Sequence, residues 1–190
     1  MAKAKLITLV GMPGAGKSTC VEYLEAKNIP SVYFGGITID EVKARGQEVN
    51  EANEKQARED IRKNEGKDAY ARRILKKISA LEEQGNNFVV VDGLYSWTEY
   101  KVFKEEYGDN AIIIAITARR KARHERLSKR PVRPLNDEEV TSREYAEIEN
   151  LEKGGPIANA DYTLLNNTTQ EDLIRQFEEV LSEIGFNGAS

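Results

Sequence analysis

The strongest chemical signal in the sequence is a glycine-rich segment near its start. Residues 11–18 read GMPGAGKS and match G-x-x-x-x-G-K-[ST], the pattern of a loop that binds nucleotide phosphates. Glycines let successive backbone N–H groups converge on phosphate oxygens, and the N-terminus of the following helix adds a positive partial charge. Chance gives this pattern in well under about one in a hundred chains of this length. The segment therefore predicts a nucleotide site formed by Gly11, Gly14, Ala15, Gly16, Lys17, Ser18 and Thr19.

Two of these side chains and one distant carboxylate suit the chemistry of a bound triphosphate. Lys17 is expected to bridge the β- and γ-phosphates, and the Ser18 hydroxyl is expected to bind Mg²⁺. Asp92 directly follows the apolar run 88–91, so its carboxylate is predicted to complete the Mg²⁺ site at the edge of a sheet. The alternative interpretation of Asp92 is a simple turn that ends a strand. The predicted cofactors are ATP and Mg²⁺.

Two missing features narrow the type of reaction. Gly93 follows Asp92 at the position where motor and AAA-type ATPases carry a Glu that activates water. The sequence also has no Asn-Lys-x-Asp segment after a later strand, which would select guanine. The sequence therefore favours ATP over GTP, and phosphoryl transfer to a bound acceptor over hydrolysis.

The composition limits the class of protein. With 190 residues, 39% apolar and 32% charged, the chain has enough apolar material for one globular core. A single cysteine, Cys20, and a single histidine, His124, exclude an intrachain disulfide framework and a Cys/His zinc site. The longest apolar run, 111–116, is far shorter than the ~18 residues that cross a bilayer, and residues 1–10 show no export signal. We expect a cytoplasmic protein without membrane contacts.

Charge is distributed unevenly along the chain. The net charge is −4, yet residues 119–133 contain eight Lys or Arg residues and one acid. An acidic body does not attract nucleic acid as a whole, whereas a compact group of guanidinium groups suits a small polyanion bound at one place. Nucleic acid is therefore an improbable partner, and a small anionic molecule is the expected one.

Short apolar runs rich in β-branched residues alternate with long polar stretches, which is the rhythm of a βαβ fold. The runs are residues 6–10, 32–34, 88–91, 111–117 and 162–165. Because the runs 88–91 and 112–114 are apolar at every position, they predict a parallel sheet covered by helices on both faces, an α/β sandwich. Residues 38–84 carry no strand signal and are too long for a plain crossover, so they predict an inserted flap of two or three helices.

Helix boundaries are indicated by capping patterns. Three pairs have the spacing of a capping box: Thr38 with Glu41, Ser96 with Glu99, and Asn136 with Glu139. Residues that typically end helices are Asn28, Gly85, Gly154 and Gly185.

Several of these features together resemble the nucleoside-monophosphate kinase group, and most closely dephospho-CoA kinases and an archaeal group of uncharacterised adenylate-kinase-like proteins. The resemblance rests on the loop 11–18, a Gly35-Gly36 turn after the second strand, Asp92-Gly93, the run 126–130 and the segment 160–166. It implies a P-loop NTPase fold: a three-layer α/β/α sandwich with a five-stranded parallel sheet. A single domain, 1–190, is then expected to have its core in 1–37, 85–118 and 156–190, an acceptor flap at about 38–84 and a mobile Arg-bearing lid at about 119–155.

The same resemblance implies roles for four arginines in closing the site over the phosphates. Arg126 is expected to contact the nucleotide, and Arg130, Arg133 and Arg143 are expected to act on the phosphates with Lys17. Arginine suits this role because its planar fork binds two oxygens at once and stays charged. For Arg119, Arg120, Lys121 and Arg123, a solvated basic helix or a nucleic-acid patch is an equally good interpretation.

The sequence departs from the family at the acceptor. Adenylate kinases grip the monophosphate with two arginines whose places are taken here by Ile39 and Tyr95. Candidate replacements in the flap are Arg58, Arg62, Arg72 and Arg73. If the acceptor is a hydroxyl, as in dephospho-CoA, Asp40 is the carboxylate that the resemblance assigns to orient it, with Asp92 as the other choice. Tyr95 and Trp97 either stack on the acceptor or belong to the core.

The leading hypothesis is a Mg·ATP-dependent phosphotransferase that acts on a small nucleotide-like acceptor, either a nucleoside monophosphate or a molecule like dephospho-CoA. The alternative is a non-catalytic or slowly hydrolysing ATP-binding regulator, which the two missing acceptor arginines support. A nucleic-acid-processing P-loop protein rests only on the basic stretch 119–133. The oligomeric state does not follow from the sequence.

Overall fold

The protein contains one five-stranded sheet in which every strand pair is parallel. The structure, a computed structural model, describes residues 3–131 and 134–186. The strands lie in the order β2-β3-β1-β4-β5, so the first strand occupies the centre of the sheet. Their bounds are β1 Lys5–Val10, β2 Ser31–Tyr33, β3 Phe88–Asp92, β4 Ala111–Thr117 and β5 Tyr162–Leu165. The predicted fold class is confirmed, and the runs 111–117 and 162–165 match strands at both ends.

Helices cover both faces of this sheet. Their bounds are α1 Lys17–Glu25, α2 Phe34–Ala44, α3 Glu51–Glu65, α4 Ala69–Glu83, α5 Trp97–Tyr107, α6 Arg120–Lys129, α7 Asp137–Glu149, α8 Gly154–Ala158 and α9 Gln170–Glu183. Helices α2, α3 and α4 occupy the segment that the sequence assigns to a helical flap. In the described part of the chain no helix is both long enough and apolar enough to cross a membrane.

The core is divided into two layers by the sheet. On one face, Phe34 of α2 and Phe103 of α5 are fully buried, with ring centroids 5.8 Å apart. On the other face, Leu24 of α1 and Phe177 of α9 are fully buried. Six of the seven residues of β4 are buried, because helices cover this strand on both sides. Burial of aromatic and aliphatic side chains on both faces fixes the sheet as the rigid base of the molecule.

The pairing of the central strands determines which loops meet. Leu9 of β1 lies opposite Asp92 of β3 and Ile114 of β4. The loop after β1 and the carboxylate that ends β3 therefore lie side by side at the carboxyl edge of the sheet. This edge is where ligands bind in open α/β sheets.

The helix signals around residue 35 are wrong. Gly35 and Gly36 do not form a loop between β2 and α2. They lie within α2, which begins at Phe34 directly after β2, because the Phe34 side chain is buried in the core. Thr38 is therefore inside the helix and caps nothing. Its buried hydroxyl instead pairs with the hydroxyl of Tyr70 at 2.7 Å, which joins α2 to α4.

Two other predicted boundaries also differ from the structure. Gly154 does not end a helix but begins α8. Asn28 predicts a helix that ends at Lys27, whereas α1 ends at Glu25, and the left-handed residue Asn28 (φ 61°) completes the turn that follows. Gly85 and Gly185 do follow helices with positive φ, as predicted.

The capping boxes of α5 and α7 are confirmed. Ser96 accepts from the N–H of Glu99, whose carboxylate accepts from the N–H groups of Ser96 and Tyr95. The same reciprocal bonds join Asn136 and Glu139. The Ser96 box does more than begin a helix, since it fixes the backbone of Tyr95 just beyond Asp92.

We predict that Ser96→Ala lowers the free energy of unfolding by about 1 kcal/mol, because the N–H of Glu99 loses its partner. Urea denaturation measures this change. Thr98→Ala, two residues later on α5 and outside the capping box, is the matched control. It is expected to change the free energy of unfolding by less than about 0.5 kcal/mol. Equal effects of the two substitutions would show that the box does not stabilise α5.

Candidate functional site

The loop that follows β1 ends at an uncapped helix N-terminus. Gly16 occupies the N-cap position of α1 in a left-handed conformation (φ 106°) and has no side chain that could accept from the first-turn N–H groups. The first turn carries no acidic residue. Because the first four N–H groups of a helix have no intrahelical partner, the loop presents several donors and the positive end of the helix to one point. These donors and the helix dipole are suited to an anion.

A cavity of about 660 Å³ opens directly in front of this loop. It brings together predicted site residues from four separate parts of the chain. Those that line it are Gly14, Gly16, Lys17, Ser18, Thr19, Asp92, Arg126, Arg130 and Arg143. Gly11 and Ala15 are buried within the loop and do not line the cavity. Arg133 lies outside the described residues.

Lys17 lies folded back on the loop. Its Nζ donates to the carbonyl of Gly11 at 2.9 Å. Burial of the ammonium, together with the nearby charge of Lys153, lowers the pKa of Lys17 to about 8, although Asp92 and Glu147 oppose this shift. An anion placed in the cavity would raise the pKa of Lys17 again. Lys17 would therefore be protonated, and positively charged, when a phosphate is bound.

Asp92 and Ser18 place two oxygen groups on the same wall. Burial raises the pKa of the Asp92 carboxyl, and Lys17 opposes that rise. Within residues 3–131 and 134–186 the Asp92 carboxylate accepts no hydrogen bond, so its oxygens are available to a cation. A hydroxyl with a carboxylate fits Mg²⁺, which takes one or two protein oxygens and completes its shell with water and phosphate. No cluster of three or more His, Cys, Asp or Glu side chains suited to a metal exists in the described ranges.

Arg126 of α6 is held against the loop. Its guanidinium donates to the carbonyl of Asn166 at 2.8 Å and to the carbonyl of Gly14 at 3.3 Å. The Asn166 amide in turn donates to the carbonyl of Ala15 at 2.8 Å. The segment after β5 and the helix after β4 are thereby joined across the loop, which keeps the loop open above α1.

The basic stretch is more strongly paired than its sequence indicates. Arg123 is buried, so its interpretation as a solvated residue is wrong: it donates to the carbonyl of Pro13 at 3.3 Å and pairs with Glu144 of α7. Arg120 also pairs with Glu144, at 3.1 Å. His124 bonds Asp137 at the start of α7, Nδ1 to Oδ1 2.9 Å. These contacts fasten α6 to α7 and to the phosphate loop.

Asp40 is placed apart from the cavity. It is exposed on α2, where its carboxylate pairs with Lys77 of α4 at 2.6 Å. The four candidate arginines of the flap make contacts inside the flap. Arg73 pairs with Glu41 and Glu65, Arg72 pairs with Asp68, Arg58 pairs with Glu54, and Arg62 lies over the ring of Tyr70.

Three side chains that sequence reasoning missed complete the site. Tyr33 lines the cavity beside Tyr95. Lys153 is 1% exposed and pairs with Glu147, whose carboxylate also accepts from Arg143. No local pattern marks Lys153 or Glu147, because one follows a helix end and the other has ordinary helical spacing. Only the fold places them behind the cavity.

The sequence matches a family model described as an AAA domain over residues 7–150. It is 33% identical over 182 residues to a UPF0200 protein of Thermococcus kodakarensis, and the match covers 94% of this chain and 97% of that protein. It is 30% identical over 187 residues to a UPF0200/UPF0201 protein of Archaeoglobus fulgidus. That match covers 96% of this chain but 57% of the Archaeoglobus protein.

Solved structures of small-molecule kinases have the same fold. A gluconokinase from Sinorhizobium meliloti superposes with a TM-score of 0.61 at 13% identity, covering 97% of this chain and 94% of that chain. A dephospho-CoA kinase from Campylobacter jejuni superposes with a TM-score of 0.55 at 16% identity, covering 96% of this chain and 98% of that chain. At these identities the comparison establishes the fold alone, a P-loop kinase fold.

The state of Lys17 predicts how nucleotide binding depends on pH. With a pKa near 8 in the free protein, Lys17 is mostly charged at pH 7 and mostly neutral at pH 9. Binding a polyphosphate restores the proton, so the affinity for Mg²⁺-free ADP is expected to fall by about tenfold between pH 7 and pH 9. Calorimetric titration measures both the affinity and the proton uptake. Lys17→Met is the control and is expected to bind weakly at both pH values; a wild-type affinity that does not change would contradict the assignment.

Proposed function

This chain belongs to the AAA-domain family and to the UPF0200 group, and from that premise we propose that it is a phosphotransferase that moves the γ-phosphoryl group of Mg·ATP to a small acceptor. The observation that carries the proposal is the convergence of cations on one cavity. Lys17, Arg126, Arg130 and Arg143 line it together with the first turn of α1. A ring of positive charges complements the negative charge that spreads over the transferred phosphoryl group in the transition state.

In the proposed reaction an acceptor hydroxyl oxygen attacks the γ-phosphorus. A new P–O bond forms, the bond from the γ-phosphorus to the β,γ-bridging oxygen breaks, and ADP leaves with that electron pair. The proton of the hydroxyl moves to the Asp92 carboxylate, which lines the cavity. Lys17 and the arginines bind the nonbridging oxygens throughout and exclude water from them.

Ser18 and Asp92 would hold Mg²⁺ beside the phosphates. When bound, this ion neutralises charge on the β- and γ-oxygens. A carboxylate has two oxygens, so Asp92 can serve the ion with one and face the acceptor with the other.

The residue that follows β3 favours phosphoryl transfer to an acceptor over hydrolysis of ATP. Gly93 provides no carboxylate to activate water. The charged groups that act on the Asp92 carboxyl are Lys17, Glu25 and Lys153. We therefore assign the Asp92 carboxylate to the hydroxyl of a bound acceptor and not to water.

The acceptor end of the cavity favours a hydroxyl over a monophosphate. The flap arginines that could have gripped a phosphate pair with flap carboxylates or lie over Tyr70. Two phenols, Tyr33 and Tyr95, line the same cavity as Asp92, and Tyr33 is the register partner of Asp92 on the neighbouring strand. Burial raises the pKa of Tyr95 well above its ordinary value, so its hydroxyl stays neutral and can donate or accept a hydrogen bond. A neutral phenol suits a hydroxyl group of an acceptor.

Glycines allow the two tyrosine rings to lie where they do. A Cβ at Gly35 would come within 2.3 Å of the Tyr33 ring, and a Cβ at Gly93 would come within 2.9 Å of the Tyr95 ring. Both rings therefore lie against bare backbone.

A panel of acceptors tests the acceptor class. ADP release should rise with compounds that offer a free hydroxyl, such as dephospho-CoA, gluconate, shikimate or nucleosides. It should not rise through phosphorylation of the phosphate of AMP, CMP or UMP. Tyr33→Phe and Tyr95→Phe are expected to raise the acceptor KM several-fold while leaving the ATP KM unchanged, since one neutral hydrogen bond contributes about 1 kcal/mol. Formation of ADP from AMP would contradict the proposed acceptor, and no turnover with intact ATP binding would favour a regulatory ATP-binding protein.

Arg130 separates a kinase from a protein that only binds ATP. We predict that Arg130→Ala lowers kcat by about 10²- to 10³-fold, because charge on the transferred group loses a cation, and changes ATP affinity much less. Lys129→Ala, the exposed neighbour on α6, is the matched control and should keep wild-type turnover. Lys17→Met should lose both binding and turnover. An Arg130→Ala variant with unchanged kcat would overturn its role.

A further inference from the structure

One carboxylate behind the cavity has two cationic partners of different kinds. Glu147 of α7 accepts from the buried ammonium of Lys153 with one oxygen and from the guanidinium of Arg143 with the other, Nε to Oε1 3.1 Å. Arg143 lies one helical turn before Glu147, lines the cavity, and has a side chain that is 47% exposed. Glu147 thus joins a cation that faces the cavity to a cation inside the protein.

Lys153 is the fixed end of this arrangement. It is 1% exposed, and its ammonium lies 4.7 Å from the centre of the Tyr95 ring. The backbone N–H of Lys153 also donates to the carbonyl of Glu147 at 3.2 Å. Since α8 begins at the next residue and packs on α5, the side chain of Lys153 has little freedom to move.

Burial acts against the charge of both members of the pair. It lowers the pKa of Lys153, and Glu147 opposes that shift. Burial alone would raise the pKa of the Glu147 carboxyl, but Lys153 and Arg143 together bring it below its ordinary value. Glu147 is therefore ionised, and its carboxylate contacts the side chains of Lys153 and Arg143. A buried ion pair of this kind is poor evidence for stability, because an apolar pair of similar volume often stabilises a protein as well or better.

We propose that the Lys153–Glu147 pair is a positioning device that fixes the guanidinium of Arg143 at the phosphate end of the cavity. The inference rests on the proposed function only in that the cavity must bind a nucleotide polyphosphate. Arginine has several rotatable bonds, and a half-exposed one loses considerable side-chain entropy when it binds. The bond to Glu147 restricts Arg143 before the nucleotide arrives, so binding orders less and the affinity is higher.

A double-mutant cycle on nucleotide affinity tests this role. The probe is Mg²⁺ with the non-hydrolysable analogue AMPPNP, titrated at pH 7 and constant ionic strength. Arg143→Met is expected to weaken binding about tenfold or more, the loss of a charged contact. Glu147→Gln is expected to weaken binding about three- to tenfold in the wild-type background and to have no further effect in the Arg143→Met background, since it acts only through Arg143.

A second variant guards against misfolding. Glu147→Gln leaves the buried ammonium of Lys153 without its anion, which can destabilise the fold. The pair Glu147→Gln with Lys153→Met removes both charges, and is expected to fold with wild-type stability in urea denaturation while binding AMPPNP as weakly as Glu147→Gln alone. Glu179→Gln is the matched control: it removes an i,i+4 pair with Arg175 on α9, 3.0 Å long and outside the cavity lining, and should not change affinity.

The outcomes distinguish this inference from the proposed function. Equal losses from Glu147→Gln in both backgrounds, or wild-type affinity in the doubly neutral variant, would overturn the positioning role. Wild-type protein that fails to bind AMPPNP would overturn the positioning role and the proposed function together. Intact binding with the expected cycle, but no phosphoryl transfer to any acceptor, would overturn the proposed reaction and leave the positioning role supported.

Discussion

The burial of several positive charges in one place is the constraint on which the site depends. Burial lowers the pKa of Lys17, and the nearby charge of Lys153 lowers it further. Arg143 acts in the same direction. A cavity that gathers cations for a polyanion must hold them together when the polyanion is absent. In this protein, carboxylates and backbone carbonyls supply the compensating negative charge.

The two carboxylates that compensate these cations both lie on α7, Asp137–Glu149. Glu144 of α7 holds Arg120 and Arg123 of α6, and Arg123 also reaches the loop at Pro13. Glu147, one turn further along α7, holds Arg143 and Lys153 on the cavity side. Helix α7 is therefore the anionic support of a basic site, which explains how a basic stretch can occur in a protein of net charge −4.

The sequence predicts those elements that depend on a local residue pattern or on burial of both faces of a strand. The loop 11–18 and the apolar run of β4 are found where their residues indicate, because hydrophobic burial and helix-terminus chemistry act over a few residues. Thr38 and Ser96 carry the same capping pattern, yet only Ser96 caps, since Phe34 enters the core and draws Thr38 into a helix. Lys153 could not be predicted. Its role depends on contacts with α7 and Tyr95 that only the assembled fold creates.

The central claim is that the amides after β1 clasp a nucleotide polyphosphate while the guanidinium groups of α6 and α7 surround it. Hydrogen–deuterium exchange of the wild-type protein, with and without saturating Mg·AMPPNP, tests it most directly. The account predicts slower exchange of the amides of residues 14–19, together with added protection in α7, and no such change in Lys17→Met. A nucleotide that binds while the amides of residues 14–19 exchange at their unliganded rate would contradict it.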